Sequence, residues 1–550
     1  MTASIASQIR VEGARQLSAK EAMQRMKAQS CNNSNTVTPR CKGQVFVGLF
    51  FDGTGNNKQL DHDTLPPARR KHSNVVRLFN TYRDSPSSGY FRHYIPGVGT
   101  PFPEIGDTNS PEKKLNLGSG MAEKGEHRIA WGLIQLINSA HRYVTNAPLI
   151  QPGQDKTIVN NMASTTNPAA MRRVVLRTWQ DKLKVALEGK KPEVEQINVS
   201  VFGFSRGAAE ARVFCNWLFE ICTQERGGWT FAGIPIRVQF LGIFDTVASV
   251  GLANLYETMP MAGHQSWADN NLQIHPAIER CVHFVAGHEV RACFPLDSAR
   301  VKKAYPANVS EVMYPGAHSD VGGGYAPGAL GVSQTGQDML SIIPGLNMYK
   351  EARLSGVPLQ DWSELKPDVR QGLSPSNTVV DAFNNFVKAA KAPSAPVESL
   401  AKHFMGSYFS YRFKYRQTLP QRPFYTNASS EERGWLNRSQ ESLIDRMRLL
   451  GQGDPMAPDF NPKEAAKQHQ KMQEAMSKAS GIDFTKPEVG MRQLYDVAAH
   501  IDTQSLSPAL EGLYDGYVHD SMAGFVHQLD EYKLNRIGLA RFRTVFCGDD

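Results

Sequence analysis

The sequence has no apolar run long enough to cross a membrane, no export signal and no paired-cysteine motif. Nothing approaches the roughly 18 consecutive apolar residues of a membrane-spanning helix, and the N-terminal stretch is polar throughout. The seven cysteines are scattered without a CxxC pair, which supports neither a disulfide framework nor a zinc site. We therefore expect a protein that is made in the cytoplasm without a signal peptide and that holds no metal.

A large excess of charge of one sign is also missing. The 61 Lys and Arg residues against 53 Asp and Glu residues leave a net charge of +8 over 550 residues. With no basic low-complexity tail and no nucleic-acid motif, this balance gives no reason to expect a nucleic-acid partner. The apolar share of 41% is ordinary for a globular protein, and the length allows more than one domain.

Strand-like and helix-like segments alternate after a polar N-terminal extension, residues 1–42. Over residues 43–355, apolar strands such as QINVSVF and IRVQFLGIF are separated by amphipathic helices. This alternation predicts an α/β core with a mostly parallel sheet covered on both faces. Residues 356–510 predict a largely helical insertion or second domain, and residues 511–550 a C-terminal segment that returns to the core.

Two segments of the helical region have amphipathic patterns. Residues 407–417, SYFSYRFKYRQ, alternate aromatic and basic side chains and predict a strand, suited to the core or to a lipid headgroup interface. Residues 379–391 predict a helix with one apolar face. That face suits the core, or a lid or anchor at a membrane surface.

The segment VSVFGFSRGAAEAR, residues 199–212, contains a G-x-S-x-G motif between an apolar strand and an alanine-rich helix. Small residues at Gly203 and Gly207 suit a sharp turn that exposes Ser205 as a nucleophile at the carboxyl edge of the sheet. The amide of Arg206 is then the first donor expected in an oxyanion hole. An ordinary strand-to-helix turn that happens to contain serine is the alternative.

A serine nucleophile needs a base, and the base needs an acid to orient it. Asp245 ends the apolar run FLGIFD about one helix and one strand later, which brings it to the same sheet edge as Ser205. The alternative is an aspartate that caps the next helix.

Four histidines compete for the role of base. His318 lies in the glycine-rich loop of MYPGAHSDVGGGY just beyond a strand, and this position favours it by a small margin. His283 and His288 fit a half-buried strand, and His519, in YVHDSMAGF, comes late in the chain as this fold also allows.

The turn FFDGTGNN follows the first strand of the core. Backbone amides near Gly53 and Thr54 are candidates for the second oxyanion donor, whereas Asp52 suits a hydrogen-bond acceptor within the turn. In an alternative interpretation, Asp52, Asp245 and His318 are the metal ligands of a metal-dependent phosphoesterase. That alternative leaves Ser205 unexplained.

Five segments, FFDGTGNN, PGVGT, GFSRGAA, FDTVAS and PGAHSDVGGGY, together resemble the type VI secretion lipase effectors, Tle family one, over roughly residues 43–355. The resemblance implies an antibacterial phospholipase whose nucleophile is Ser205, whose acid is Asp245 and whose base is His318. It also implies cleavage of glycerophospholipid acyl esters at the first or second position. For residues 43–355 it implies an α/β-hydrolase catalytic core. The C-terminal part contains no motif that we recognise.

We therefore expect a type VI secretion effector with phospholipase A activity and no cofactor. The resemblance implies membrane phospholipid as substrate, a secretion spike protein and an immunity protein as partners, and action in the target-cell periplasm or membrane. Two alternatives stay open: a soluble carboxylesterase or thioesterase with the same triad, and a non-catalytic binding module that has kept the hydrolase shape.

Overall fold

A computed structural model describes residues 2–30, 41–108, 124–163, 168–225, 227–249, 264, 266–291, 294–392, 394–486, 489–524 and 541–547. The strands are Ser4–Ile5 (β1), Lys42–Phe51 (β2), Tyr90–Ile95 (β3), Glu193–Phe204 (β4), Thr223–Glu225 (β5), Gly228–Phe231 (β6), Ile234–Phe244 (β7), Cys281–Ala286 (β8), Leu296–Asp297 (β9), Val309–Tyr314 (β10) and Val545–Phe546 (β11). The α-helices up to residue 355 are Val11–Arg15 (α1), Ala19–Gln29 (α2), Asn74–Thr81 (α3), Gly125–Thr145 (α4), Gln154–Ala163 (α5), Pro168–Leu187 (α6), Arg206–Ile221 (α7), His318–Gly322 (α8) and Ile342–Leu354 (α9). The later helices are Pro367–Gly372 (α10), Asn377–Ala390 (α11), Val397–Lys414 (α12), Pro423–Asn427 (α13), Ser430–Arg448 (α14), Pro462–Ser480 (α15), Val489–His500 (α16) and Pro508–Gly516 (α17).

The central sheet has the strand order β1-β10-β8-β7-β4-β2-β3, with every pair in that order parallel. The hairpin of β5 and β6 extends it by an antiparallel pairing of β6 with β7. Because parallel strands are buried on both faces, they read as nearly continuous apolar runs, as β4 and β7 do. The expected α/β class, with a mostly parallel sheet and a largely helical second part, is confirmed.

Helices cover both faces of the sheet. On one face α4 and α7 pack on β2, and a glycine in α4, Gly132, brings the helix close to Phe51 and Phe214. On the other face Phe50 and Phe202 stack with ring centroids 4.9 Å apart in an apolar cluster that also includes residues of α3 and α9. This layering fixes the carboxyl ends of β2, β4, β7 and β8 along one edge.

The helical region contributes to the apolar cluster that contains Phe50 and Phe202. Val379, Phe383 and Phe386 of α11 are buried, so the apolar face of this helix belongs to the core. Among the described residues, none of the helices is both long and apolar enough to span a bilayer.

The strand predicted for residues 407–417 is wrong, because most of the segment lies in the helix α12. Phe409, Tyr411 and Phe413 are all buried although they point in different directions around the helix. Arg412 is buried as well, in an ion pair with Asp520. Residues 408–413 of α12 are all buried, so this part of the helix has no polar face and its sequence does not show the helical period.

Both ends of the described chain join the core. Ser4–Ile5 pairs with β10 as an edge strand, and Ala3 and Ile9 are buried beside it. Near the C-terminus, Val545–Phe546 pairs with β9 in a separate two-stranded sheet rather than with the central one. The division of the chain into domains stays a prediction.

Candidate active site

Ser205 occupies a sharp turn between β4 and α7. Its backbone angles, φ 57° and ψ −126°, are strained for a residue with a side chain, and such strain is common at functional sites. The side chain lies at the carboxyl edge of the sheet and the residue is 5% exposed. Arg206 opens α7, and the first-turn amides of a helix lie outside its internal hydrogen-bond ladder.

The two glycines of the motif are required by close backbone contacts. A Cβ atom on Gly203 would lie 2.5 Å from the carbonyl oxygen of Gly207 and 2.6 Å from the Cα atom of Ala208. On Gly207 it would lie 2.3 Å from the carbonyl oxygen of Asp52. The chain therefore folds back on itself and on the end of β2, which is the packing of a nucleophile elbow.

Asp245 follows β7, the strand next to β4. Its backbone is in the left-handed region with φ 39°, and its amide donates to the Phe284 carbonyl at 2.7 Å. Its Oδ1 atom accepts a hydrogen bond from the Ala286 amide at 2.8 Å. The carboxylate is thus fixed between the ends of β7 and β8.

His318 begins the short helix α8 and pairs with Asp245. The distance between His318 Nδ1 and Asp245 Oδ2 is 2.5 Å. The imidazole packs against Phe204, with ring centroids 4.6 Å apart, and against Phe294 at 5.1 Å. Burial lowers the pKa of His318, and the hydrogen bond to Asp245 offsets part of this effect. A neutral imidazole at neutral pH is the form that a general base requires.

Phe204 connects His318 with Ser205. It directly precedes Ser205 in the chain, and its ring contacts the imidazole of His318. Among the hydrogen bonds of the described residues, none joins Ser205 Oγ to His318. Catalytic hydrogen bonds are often long in enzymes without substrate and tighten in the substrate complex.

The turn after β2 lies against the elbow, where a Cβ atom on Gly53 would be 2.6 Å from the Phe204 ring. Asp52 accepts hydrogen bonds from the Gly53 amide at 2.8 Å and from Tyr94 Oη at 2.6 Å, so it is a structural acceptor in this turn. Burial raises the pKa of Asp52 to about 6. The amide of Thr54 has no hydrogen-bond partner within the part of the chain that the structure describes.

The competing histidines have other partners. His283 Nδ1 contacts Glu311 at 2.9 Å, and the Gly316 amide donates to His288 Nδ1 at 2.8 Å. His519 Nδ1 contacts Asp320 at 2.6 Å rather than Asp245. Over the described ranges, no group of three or more His, Cys, Asp or Glu side chains is arranged to hold a metal ion.

Residues 47–231 and 222–351 match the family model described as T6SS, phospholipase effector Tle1-like, catalytic domain. Together these stretches span more than half of the chain. The chain belongs to the Tle1-like type VI secretion phospholipase effectors. The resemblance drawn from the sequence motifs is thereby confirmed.

Two solved structures are similar to this Tle1-like chain. One is a crystal structure of an uncharacterized protein from Pseudomonas aeruginosa, which is 27% identical and has a TM-score of 0.75. The match covers 100% of this chain and 85% of the Pseudomonas chain. A Tle1 effector bound to the VgrG spike from the type VI secretion system is 23% identical over 53% of each chain, with a TM-score of 0.29. No curated protein matches the chain.

One residue next to the Tle1-like catalytic core was not expected from the sequence. Arg543 comes from the C-terminal segment and binds Asp245 through two hydrogen bonds of 2.8 Å, one to each carboxylate oxygen. Burial alone would raise the pKa of Asp245, but the charge of Arg543 and the hydrogen bond from His318 hold it well below its usual range. Because 298 positions separate Arg543 from Asp245, no local motif could have revealed the contact.

Glu289 was also missed, and it holds the backbone of His318, the candidate base, in the Tle1-like core. Its Oε2 atom accepts a hydrogen bond from the His318 amide at 3.2 Å, and its Oε1 atom accepts one from Ser521 Oγ at 2.9 Å. Arg291 pairs with the same carboxylate at 2.9 Å. Glu289 lies in the segment GHEV. From the sequence, the nearby His283 and His288 were considered as candidate bases and this glutamate was not.

Proposed function

We propose that the chain is a phospholipase A that hydrolyses acyl esters of membrane glycerophospholipids through Ser205, His318 and Asp245. The observation that carries the proposal is the 2.5 Å contact between His318 Nδ1 and Asp245 Oδ2 beside the strained turn of Ser205. A buried carboxylate on Nδ1 holds the imidazole in the tautomer whose Nε2 can accept a proton. Membership of a phospholipase effector family supports a lipid ester as substrate.

In the proposed reaction, His318 Nε2 takes the proton of Ser205 Oγ as this oxygen attacks the acyl carbonyl. Asp245 stabilises the imidazolium, which then gives the proton to the departing alcohol oxygen of the glycerol. A water molecule, activated by the same imidazole, hydrolyses the acyl-enzyme and releases the fatty acid.

The negative charge that develops on the carbonyl oxygen needs donors already in place. The amides of Arg206, at the start of α7, and of Thr54, in the turn against the elbow, are our candidates. Removing one such donor typically lowers turnover by about 10²–10³.

We further propose that a spike protein delivers the enzyme and that an immunity protein protects the producing cell. The proposed site of action is the periplasm or membrane of a target cell. Membership of a type VI secretion effector family supports delivery by this system.

The test is product analysis on vesicles of phosphatidylethanolamine and phosphatidylglycerol. The parent protein should release fatty acid and lysolipid, and the position of the remaining acyl chain separates A1 from A2 cleavage. Ser205→Ala should abolish release. Ser200→Ala should keep it. This serine lies within β4, five residues before Ser205, and its hydroxyl accepts a hydrogen bond from Gln239 Nε2 at 2.8 Å.

Two results would overturn the proposal. Full activity of Ser205→Ala on lipid would exclude a serine mechanism at this turn. If the enzyme hydrolyses esters in vesicles no faster than a monomeric ester in solution, a soluble esterase is favoured instead.

A further inference from the structure

A cavity of about 310 Å³ lies between α3, the segment 62–72, the loop 336–339 and α10. We call it the cationic cavity, because the positively charged Arg70 and Arg77 line it, together with His62 and His72. These side chains take no part in the proposed hydrolysis.

Arg77 is 8% exposed, and its hydrogen-bond partners among the described residues are neutral. Its Nη1 atom donates to Asn74 Oδ1 at 2.8 Å and to Ser341 Oγ at 3.4 Å, while its buried Nε atom has no acceptor. Burial lowers the pKa of Arg77 to about 10, which leaves the guanidinium charged at neutral pH. Within the described chain no carboxylate forms an ion pair with it. A buried charge of this kind is costly unless something compensates it.

Two further nitrogen atoms at the cavity are buried and find no hydrogen-bond partner in the ranges that the structure describes. They are Arg70 Nε and His72 Nδ1. The rings of His62 and His72 lie edge to face with centroids 4.7 Å apart. Burial holds the pKa of His72 well below its ordinary value, and the positive charges of Arg77 and Arg70 add to this effect. The donors therefore share one region of positive potential.

The acidic groups nearby do not neutralise this potential. Asp368 lines the cavity but forms no ion pair with either arginine over the described residues. Asp63, next to His62 in the chain, is paired with Lys58 at 2.6 Å and contacts His62 at 2.8 Å. Arg70 and Arg77 therefore have no carboxylate partner among the described residues, and the Nε atom of each has no acceptor there.

We propose that the cationic cavity binds a phosphate group. Guanidinium donors match phosphate oxygens in geometry and charge, and imidazole nitrogens can add hydrogen bonds to the same oxygens. The volume admits a small phosphate ester as well as the bare ion.

The cavity is a separate site from Ser205, although its wall contacts the segment that carries the base. Ser73, which follows His72, forms an antiparallel bridge with Gly323, five residues after His318. A Cβ atom on Gly323 would lie 2.7 Å from the Cα atom of Ser73. The proposal does not depend on hydrolysis, so it can be tested in the inactive protein.

The test is calorimetric titration of full-length Ser205→Ala protein with glycerol 3-phosphate and with inorganic phosphate. Adding Arg77→Gln should weaken binding by about tenfold or more, since it removes a charge-assisted donor. Adding Arg70→Gln should weaken binding as well. Arg69→Gln is the matched control, because it removes the same charge from an exposed neighbour that does not line the cavity.

A second arm identifies the source of the phosphate. The same variants are tested for binding to phosphatidylcholine vesicles with and without phosphatidic acid. If Arg77→Gln weakens both vesicle and soluble-ester binding, lipid headgroups reach the cavity. If it weakens only soluble-ester binding, the ligand is a free phosphate ester.

The proposal fails if neither soluble probe binds the Ser205→Ala protein, or if Arg77→Gln and Arg70→Gln bind as tightly as Arg69→Gln. Thermal midpoints of all variants show whether the fold is retained. If Arg77→Gln does not fold, Arg70→Gln decides the question, because Arg70 is only partly buried.

Discussion

At the scale of single residues, Asp245 and Arg543 form a buried pair in which each charge needs the other. Asp245→Asn should lower kcat by about 10⁴, because His318, the proposed base, loses its carboxylate partner. It should also lower the free energy of unfolding by about 3–5 kcal/mol, since Arg543 is left buried without a counter-charge. Steady-state kinetics and urea unfolding measure the two effects.

The double variant Asp245→Asn with Arg543→Met separates the catalytic loss from the structural one. Removing the unpaired charge should restore part of the stability, while kcat stays as low as in the single variant. Recovery of activity in the double variant would show that Asp245 acts only by neutralising Arg543.

Glu210 lies on α7, five residues after Ser205, and is fully enclosed. Both of its carboxylate oxygens lack hydrogen-bond partners in the described chain, and burial raises its pKa to about 8 although Arg128 and Arg206 oppose the shift. A carboxyl whose pKa is raised by folding binds a proton that the unfolded chain releases, so stability should fall as the pH rises from about 4.5 through about 8. Glu210→Gln should remove this loss.

Urea unfolding of the parent and of Glu210→Gln at pH 5, 7 and 9 tests this expectation. The gain in stability of the variant over the parent should increase from pH 5 to pH 9. Glu441 on α14 is exposed, so Glu441→Gln serves as the control. Its stability difference from the parent should not change with pH. A pH-independent difference for Glu210→Gln would contradict the expectation.

At the scale of elements, the turn between β4 and α7 depends on the absence of a Cβ atom at Gly203. Gly203→Ala would place carbon 2.5–2.6 Å from two backbone atoms, and backbone cannot yield as a flexible side chain can. We expect a loss of about 1–3 kcal/mol or more in stability together with loss of activity. The urea midpoint and the rate of lipid hydrolysis measure both.

Gly434 offers the matched control, since it lies within α14 and a Cβ atom there would meet nothing within 4 Å. Gly434→Ala should raise stability by about 0.5–1 kcal/mol through helix propensity and leave hydrolysis unchanged. Equal behaviour of the two variants would show that the close contacts at Gly203 do not constrain the turn.

At the scale of the whole molecule, the helical region and one face of the sheet share a continuous core. Phe404 of α12 packs on Gly287 and on the ring of His288, just beyond β8, and Tyr514 Oη lies 3.3 Å from His288 Nε2. We therefore expect the two parts to unfold together. Hydrogen exchange followed by mass spectrometry along a urea series should give the same midpoint for peptides of β4 and α12.

Earlier loss of protection in α12 than in β4 would contradict this expectation and would favour an independent helical domain. The C-terminal segment gives a further reason to expect coupling. Phe542 contacts Phe409 and His500 of the helical region, while its neighbour Arg543 reaches Asp245 in the catalytic core.

The sequence by itself determined the class of the fold and the position of the elbow. Apolar runs that alternate with amphipathic helices specify a parallel sheet, and glycines two residues on either side of Ser205 specify a turn too tight for side chains. These signals are local, because each depends on residues within one element or one turn. The order of the motifs was enough to indicate the family.

Only the tertiary structure decided which distant groups meet. It placed Arg543 against Asp245 and His519 against Asp320. It also buried residues 408–413 of α12 on every side, so the aromatic residues there do not follow a helical period. Contacts of this kind depend on how whole elements pack, and packing leaves no short pattern in the chain. Buried charges are decided at the same level, because the cost of desolvation depends on every neighbour in space.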